Sequence, residues 1–284
     1  MGAGLTEKIE MKFIDLKLVR RLEMASAKSG KACAEGAQRL HPDLGAAAED
    51  IAGGIAVYAG VDSPVTQALG VGLDGPVEDA ELDRLENFFR SRGAATAIEL
   101  CPFAGIPLYE ALAKREYRLV EVSNVLFRDL TPADDFPPPA PGVTVRPALP
   151  EDEKLLTQTV ARGFAELSPI TPALLNVMDG FFHSEGNHPF LAYVDGVVAG
   201  GGSAFAFDGV VGMFGASTLP EFRGRGVQGA LLAARLRWGA QNGCELAKGI
   251  TLPGSTSHRN HERFGFRVAY TRTKLVRNQV EHPT

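Results

Sequence analysis

The residues with the clearest chemical potential are the two arginines and three glycines of residues 223–229, which read RGRGVQG. A strand pattern ends just before this segment, and an amphipathic helix pattern starts inside it. The first turn of a helix has unpaired backbone N–H groups and carries partial positive charge. Glycine lets an anion approach the backbone, and the guanidinium groups of Arg223 and Arg225 suit phosphate oxygens. The segment therefore predicts a diphosphate-binding helix start.

Two widespread phosphate-binding loops do not explain this segment. The P-loop pattern GxxxxGK[ST] requires a lysine followed by serine or threonine, and neither is in place here. Residues 224–229 do spell GxGxxG, the pattern of a dinucleotide-binding fold. Their preceding strand follows a hairpin, however, and the string alone is weak evidence. The kind of diphosphate must be inferred from the surrounding elements.

The elements around this loop follow a mixed pattern. Asp195-Gly196 and Asp208-Gly209 stand between apolar runs and predict hairpin turns. The strands are predicted at 143–147, 190–194, 197–205, 210–218, 245–251 and 266–276, and the helices at 150–164, 172–182, 227–241 and 258–264. Hairpins combined with βαβ crossovers indicate an α+β, or mixed α/β, fold class.

With these elements, the C-terminal part resembles the GNAT superfamily of acyl-CoA-dependent N-acyltransferases. The family signature, Gln/Arg-x-x-Gly-x-Gly/Ala after the fourth strand, falls on Arg223, Gly226 and Gln228. Gln228 departs from the usual small residue. The resemblance covers about residues 143–277 and includes the late segment 260–266. It implies that acetyl-CoA binds at the loop and that no metal is needed.

The resemblance also implies site residues. The fourth strand is expected to splay from the fifth, so that the pantetheine arm of the coenzyme lies between them. Tyr270 is the expected general acid for the leaving thiolate, since phenol and thiol pKa values are close enough for that transfer. On the acceptor side, Glu166 is the candidate base, and His183 and His188 are candidate lining residues. The expected coenzyme contacts are Ala216, Thr218, Leu219, Arg223, Gly224, Arg225, Gly226, Val227, Gln228, Asn260 and Arg263.

The N-terminal part repeats the later portion of this pattern. Its predicted strands at 55–59, 66–73, 95–100 and 117–128 alternate with predicted helices at 78–90 and 107–114. We interpret the repeat as a faint internal duplication. The segment matching the arginine and glycine loop is 73–81, which has four acids and no arginine, and Glu121 matches Tyr270. Carboxylates at a helix start repel a diphosphate, so this copy is predicted to have lost the coenzyme site.

A proline-rich segment at 131–142 divides the two copies. The prediction is therefore two tandem GNAT-like domains, each a mostly antiparallel sheet flanked by helices. They occupy residues 1–130 and 143–277, and a tail follows at 278–284.

The bulk composition narrows the possible partners. The net charge of −5 argues weakly against nucleic-acid binding, and no apolar run is long enough to span a membrane. Three cysteines without metal-ligand spacing predict neither a zinc site nor a disulfide framework, which fits a cytoplasmic setting. We expect a monomer or a homodimer.

Three functions remain open on the sequence. The leading one is an N-acyltransferase that moves an acetyl or other short acyl group from its CoA thioester to a primary amine by direct attack. The second is a non-catalytic acyl-CoA-binding or sensing protein with the same fold. The third is an amide-forming enzyme of the two-domain mycothiol-synthase kind. The acceptor, a small-molecule or peptide amine, is left open.

Overall fold

A computed structural model describes residues 13–165 and 170–278. The described part has the mixed α/β class that the sequence predicted. Its helices are α1 (Leu16–Leu40), α2 (Asp79–Arg90), α3 (Ile106–Lys114), α4 (Glu153–Phe164), α5 (Pro172–Phe182), α6 (Val227–Gln241) and α7 (Thr256–Arg263). Its strands are β1 (Ala47–Ile51), β2 (Gly54–Tyr58), β3 (Gln67–Leu69), β4 (Thr96–Leu100), β5 (Arg118–Asp129), β6 (Val143–Pro147), β7 (Asn187–Val194), β8 (Val197–Phe207), β9 (Val210–Thr218), β10 (Leu246–Thr251) and β11 (Arg267–Arg277).

The longest helix, α1, and the first strand, β1, were not predicted from the sequence. The Asp15 side chain begins α1 by accepting the Leu18 N–H at 2.8 Å. Leu18, Val19 and Leu22 of α1 are buried together in one hydrophobic cluster. Most other inward positions of α1 are alanine, glycine or serine, which dilutes the apolar periodicity that normally identifies a helix. Small residues here let α1 pack closely on α5, since a Cβ at Gly36 would overlap the Gly180 carbonyl.

All eleven strands form one continuous sheet. Its order is β1-β2-β3-β4-β11-β5-β10-β9-β8-β7-β6. At the centre, the long strands β5 and β11 pair antiparallel along most of their length. The sequence prediction of two sheets, one for each half, did not anticipate this continuity.

The continuity arises because the two halves exchange their last strands. Residues 273–277 of β11 pair with β4 of the N-terminal half. Residues 124–129 of β5 pair with β10 of the C-terminal half. The N-terminal half therefore has β11 of the other half beside its own β4, and the C-terminal half has β5 of the other half beside its own β10.

The sheet opens between β9 and β10. These parallel strands pair with each other only at Leu246–Val210, Ala247–Val211 and Lys248–Gly212; beyond these residues β9 stays paired with β8 and β10 with β5. Gly215, at a φ of +57°, lies in β9 beyond the last paired residue. The opening leaves a gap through the sheet at the end of β10.

Opposite faces of the sheet are covered by α1 and α6. On β10, Leu246 packs in the cluster under α1, whereas its neighbour Ala247 packs in the cluster under α6. Successive side chains of a strand point to opposite faces, so these clusters lie on the two sides of the sheet. No helix of the described residues is both long and apolar enough to cross a bilayer.

Candidate functional site

A cleft of about 680 Å³ lies on the α6 face, beside the gap between β9 and β10. The helix α6 begins at its wall, with Gly226 as the capping residue and no side chain bonded to the first amides. Gly224 and Gly226 have φ values of +75° and +85°, which only glycine adopts easily. The sequence prediction placed eleven coenzyme contacts here, and nine of them line the cleft: Ala216, Thr218, Arg223, Gly224, Gly226, Val227, Gln228, Asn260 and Arg263.

The two loop arginines take different directions. Arg223 lines the cleft, and its guanidinium donates to the carbonyls of Gly163 at 3.2 Å and Thr218 at 3.4 Å. Arg225 is not among the lining residues. Its side chain turns to Asp195, in the β7–β8 hairpin, with a 2.7 Å ion pair. Of the two arginines expected to face the coenzyme, Arg223 lies at the cleft and Arg225 does not, because a nearby carboxylate binds Arg225.

The end of β9 forms another wall. Ala216 and Thr218 line the cleft as expected, and Gln228 Nε2 donates to Thr218 Oγ1 at 2.8 Å. Gln228, the departure from the family pattern, thus ties the end of β9 to α6. Leu219, also an expected contact, does not line the cleft: its N–H donates to the Ala199 carbonyl and its own carbonyl accepts a bond from Phe222. Since its backbone groups are already paired and its side chain is buried, Leu219 is unsuited to hold the coenzyme.

His261, which the sequence reasoning missed, also lines the cleft. Its Nδ1 donates to the Ser257 carbonyl at 2.8 Å, so the neutral ring presents Nε2 without a proton. That nitrogen lies against Gly249 of β10, where a Cβ would overlap it. Burial lowers the pKa of His261 to about 4, helped by the nearby Arg235 cation. The one available signal was its position between Asn260 and Arg263, which were both expected contacts.

Arg235 is a second missed residue of the cleft. Its side chain is almost fully buried on α6, and its contacts are the carbonyls of Leu231 at 3.0 Å and Ser203 at 3.4 Å. Burial lowers its pKa to about 10, and no carboxylate of the described residues pairs with it. A buried cation without a counter-charge is costly. The positive charge of Arg235 therefore favours the binding of an anion in the cleft.

Tyr270, the expected general acid, lies away from the cleft. Its hydroxyl donates to Glu23 Oε1 at 2.7 Å beneath α1, and the residue is not among those lining the cleft. Burial, followed by the charge of Glu23, raises the pKa of Tyr270 well above its usual value. The unpredicted helix α1 supplies both the cover and the carboxylate.

Of the acceptor-side candidates, the two histidines lie away from the cleft. Glu166 lies outside the described residues. His183 Nε2 is 2.8 Å from Glu153 Oε1 at the end of α5, and His188 stacks on Trp238 with ring centroids 4.6 Å apart. Neither histidine is among the residues lining the cleft.

In the N-terminal half, the helix matching α6 is α2, and its start is closed by acidic side chains. Glu81 accepts the Glu78 N–H at 3.2 Å, completing a capping box. Asp74 pairs with Arg20 of α1 at 3.1 Å. The contrast with α6 is direct, since the first amides of α6 have no side-chain cap.

Comparisons with known proteins agree with this geometry. Residues 156–266 match the family model described as the acetyltransferase (GNAT) family. A GCN5-related N-acetyltransferase from Kribbella flavida is similar at 19% identity, with a TM-score of 0.65, over 92% of this chain and 97% of that one. A second, from Sphaerobacter thermophilus, has 17% identity and a TM-score of 0.56 over 89% and 91%. No curated protein matches the sequence.

A tandem GNAT protein from the clavulanic acid biosynthesis pathway is also similar. It has 14% identity and a TM-score of 0.57 over 92% of this chain and 94% of that one. At these identities the likeness demonstrates a shared fold. It extends over both halves of the chain, including the half that the family model does not reach.

Proposed function

The C-terminal half of this chain carries an acetyltransferase domain of the GNAT family, and we propose that it transfers an acetyl group from acetyl-CoA to a primary amine. The coenzyme lies in the α6-face cleft, with its diphosphate at the start of α6 and its thioester at the gap between β9 and β10. The N-terminal half, whose equivalent helix start is capped by acidic side chains, binds no coenzyme.

The proposal rests mainly on the start of α6. This helix start has no side-chain cap, and it faces a cleft that lies beside the gap in the sheet. A diphosphate satisfies unpaired amides and favours the positive end of the helix dipole. Arg223 and Arg263 add positive charge along the same wall. The unpaired edge of β9 offers backbone groups to the amides of the pantetheine arm.

The transfer requires no covalent enzyme intermediate. The amine nitrogen attacks the thioester carbonyl, a C–N bond forms and the C–S bond breaks. The amine loses one proton and the leaving thiolate takes one, so the products are an amide and coenzyme A. The positive charge of Arg235 favours the negative charge that develops at the reacting centre. His261 is neutral at pH 7, and its Nε2, which lies against Gly249 of β10, is available to accept a proton.

Two measurements test this proposal. Isothermal titration of the full chain with coenzyme A should give saturable binding, and acetyl-CoA should release thiol when small amines are added. Absence of coenzyme binding would overturn the proposal. Binding without thiol release from any amine would instead favour the non-catalytic sensing function.

A further inference from the structure

A second cleft, of about 150 Å³, opens on the opposite face of the sheet. It reaches the same gap from the α1 side, because Gly249 of β10 lines it while His261 covers Gly249 from the other side. The two clefts therefore meet where β9 and β10 separate from each other. A thioester entering from the α6 face can be reached by a molecule held on the α1 face.

Both halves of the chain build this second cleft. The N-terminal half provides α1 and the neighbourhood of β3, and the C-terminal half provides β9, β10 and α5. Its apolar walls include Ala25, Leu69, Phe181, Met213 and Phe214. Pockets for drug-sized ligands are roughly 300–1,000 Å³. This cleft is smaller and suits a compact molecule with an apolar portion.

Two polar atoms in the wall indicate an absent binding partner. Ser29 Oγ on α1 and Gln67 Oε1 on β3 are buried and make no hydrogen bond within the described part of the chain. Ser29 itself is only 7% exposed. Buried polar groups are nearly always hydrogen-bonded, and leaving one unpaired costs roughly 1–3 kcal/mol. A small polar ligand in the cleft would satisfy both atoms.

The charges in the wall select the kind of ligand. Lys248 and Arg272 line the cleft, and no carboxylate is among its lining residues. The carboxylates that neutralise these cations, Glu23 and Glu99, contact Arg272 at 3.4 and 3.0 Å from behind the cleft. Lys248 Nζ donates to the Leu22 carbonyl on α1, so it is held in place. The wall itself therefore offers N–H donors and no carboxylate, so a ligand carboxylate finds donors there, whereas an ammonium group finds no acidic partner.

Resting on the acetyl transfer proposed above, we propose that this second cleft binds the acceptor and that the acceptor is a single amino acid with an apolar side chain. Its carboxylate faces Lys248 and Arg272, and its apolar side chain packs against the cleft walls. Its amine lies at the gap by Gly249 and attacks the thioester there. The N-terminal half thus contributes substrate selection although it binds no coenzyme.

A binding experiment tests the occupant without requiring turnover. Leucine, isopentylamine (leucine without its carboxylate) and spermidine are titrated into the full chain saturated with coenzyme A, and again without it. We expect leucine to bind at least about tenfold more tightly than isopentylamine, the equivalent of about 1.4 kcal/mol, and spermidine to bind more weakly than either. Equal affinities, or a preference for spermidine, would overturn the proposal.

Substitutions in the second cleft test whether the acceptor binds there. Gln67→Leu and Ser29→Leu remove unpaired atoms and fill the cleft; Gln67→Leu nearly conserves side-chain volume, and melting temperatures of both variants establish that they fold. Each should raise the KM for leucine at least about tenfold while the KM for acetyl-CoA stays unchanged. Gln38→Leu is the matched control, because Gln38 Oε1 is also buried and unpaired but does not line the cleft. If Gln38→Leu has the same effect, or the cleft variants have none, the location is wrong.

These outcomes separate the two proposals. Failure of coenzyme A to bind rejects the acetyl transfer, while leucine binding to the protein alone still identifies the occupant of the second cleft. Coenzyme binding together with thiol release from isopentylamine or spermidine in preference to leucine supports the transfer and rejects the amino-acid acceptor.

Discussion

Nε2 of His261 lies against Gly249, so that a side chain at this position of β10 would force the imidazole ring to move. His261 lines the cleft on the α6 face, and Gly249 lines the cleft on the α1 face. The contact between them therefore marks the point where the two clefts meet. Because burial keeps the imidazole neutral and Ser257 holds its Nδ1 proton, Nε2 is directed at this meeting point.

Gly249→Ala should lower the thiol-release rate and destabilise the fold by about 1–3 kcal/mol, because the new Cβ overlaps the His261 ring. Urea unfolding and thiol release measure the two effects. In a His261→Ala background the same change should cost much less stability, since the ring is gone. An undiminished cost in that background would contradict the contact.

Arg223→Ala should weaken coenzyme A binding by about tenfold or more, whereas Arg225→Ala should change it by less than about twofold. Arg223 lines the cleft, and Arg225 pairs with exposed Asp195 instead, a contact worth up to about 1 kcal/mol. Isothermal titration measures both, with melting temperatures recorded to confirm folding. Equal losses for the two variants would contradict the distinction between these arginines.

Tyr270→Phe should leave thiol release nearly unchanged but reduce the free energy of unfolding by about 1.5–3 kcal/mol, as expected for losing a buried hydrogen bond to a charged group. Tyr193→Phe is a control, since its hydroxyl accepts from Arg146 at a half-buried site. A large fall in kcat with stability retained would restore the general-acid role to Tyr270.

His261 should make the fold less stable in acid. In the folded chain it stays neutral to about pH 4, whereas the unfolded chain takes up a proton near pH 6.5. Between these values the unfolded state binds more protons, so stability falls as the pH drops from 6.5 to 4, by up to about 3 kcal/mol. Urea midpoints across this range should depend less on pH in His261→Gln. An identical pH dependence in the two proteins would rule out burial of the imidazole.

Local signals in the sequence were sufficient to predict much of the secondary structure of the C-terminal half. The predicted bounds of α6, α5 and β6 coincide with those of the structure. Proline at the start of α5, an Asp-Gly turn between β7 and β8 and glycines before α6 are all read within a few residues. The nine expected residues that line the cleft follow from these same elements.

Tyr270 lies on the face away from the coenzyme cleft because a strand can change face. Phe266 packs in the cluster under α6, and a residue four positions later on a regular strand shares that face. A register shift between Val268 and Tyr270 in the pairing of β11 with β5 breaks the alternation, and Tyr270 packs under α1. Neither the shift nor the strand exchange has a local signal, because both depend on pairing between distant segments.

The exchange of β5 and β11 also has a consequence for how the chain is made. Residues 273–277 complete the N-terminal sheet between β4 and β5, yet they are synthesised only after β6 to β10 of the second half. The first half therefore leaves the ribosome with an incomplete sheet and must wait for almost all of the second half. Dividing the chain at 131–142 and producing the parts separately would leave each without a central strand, so the two halves depend on each other to fold.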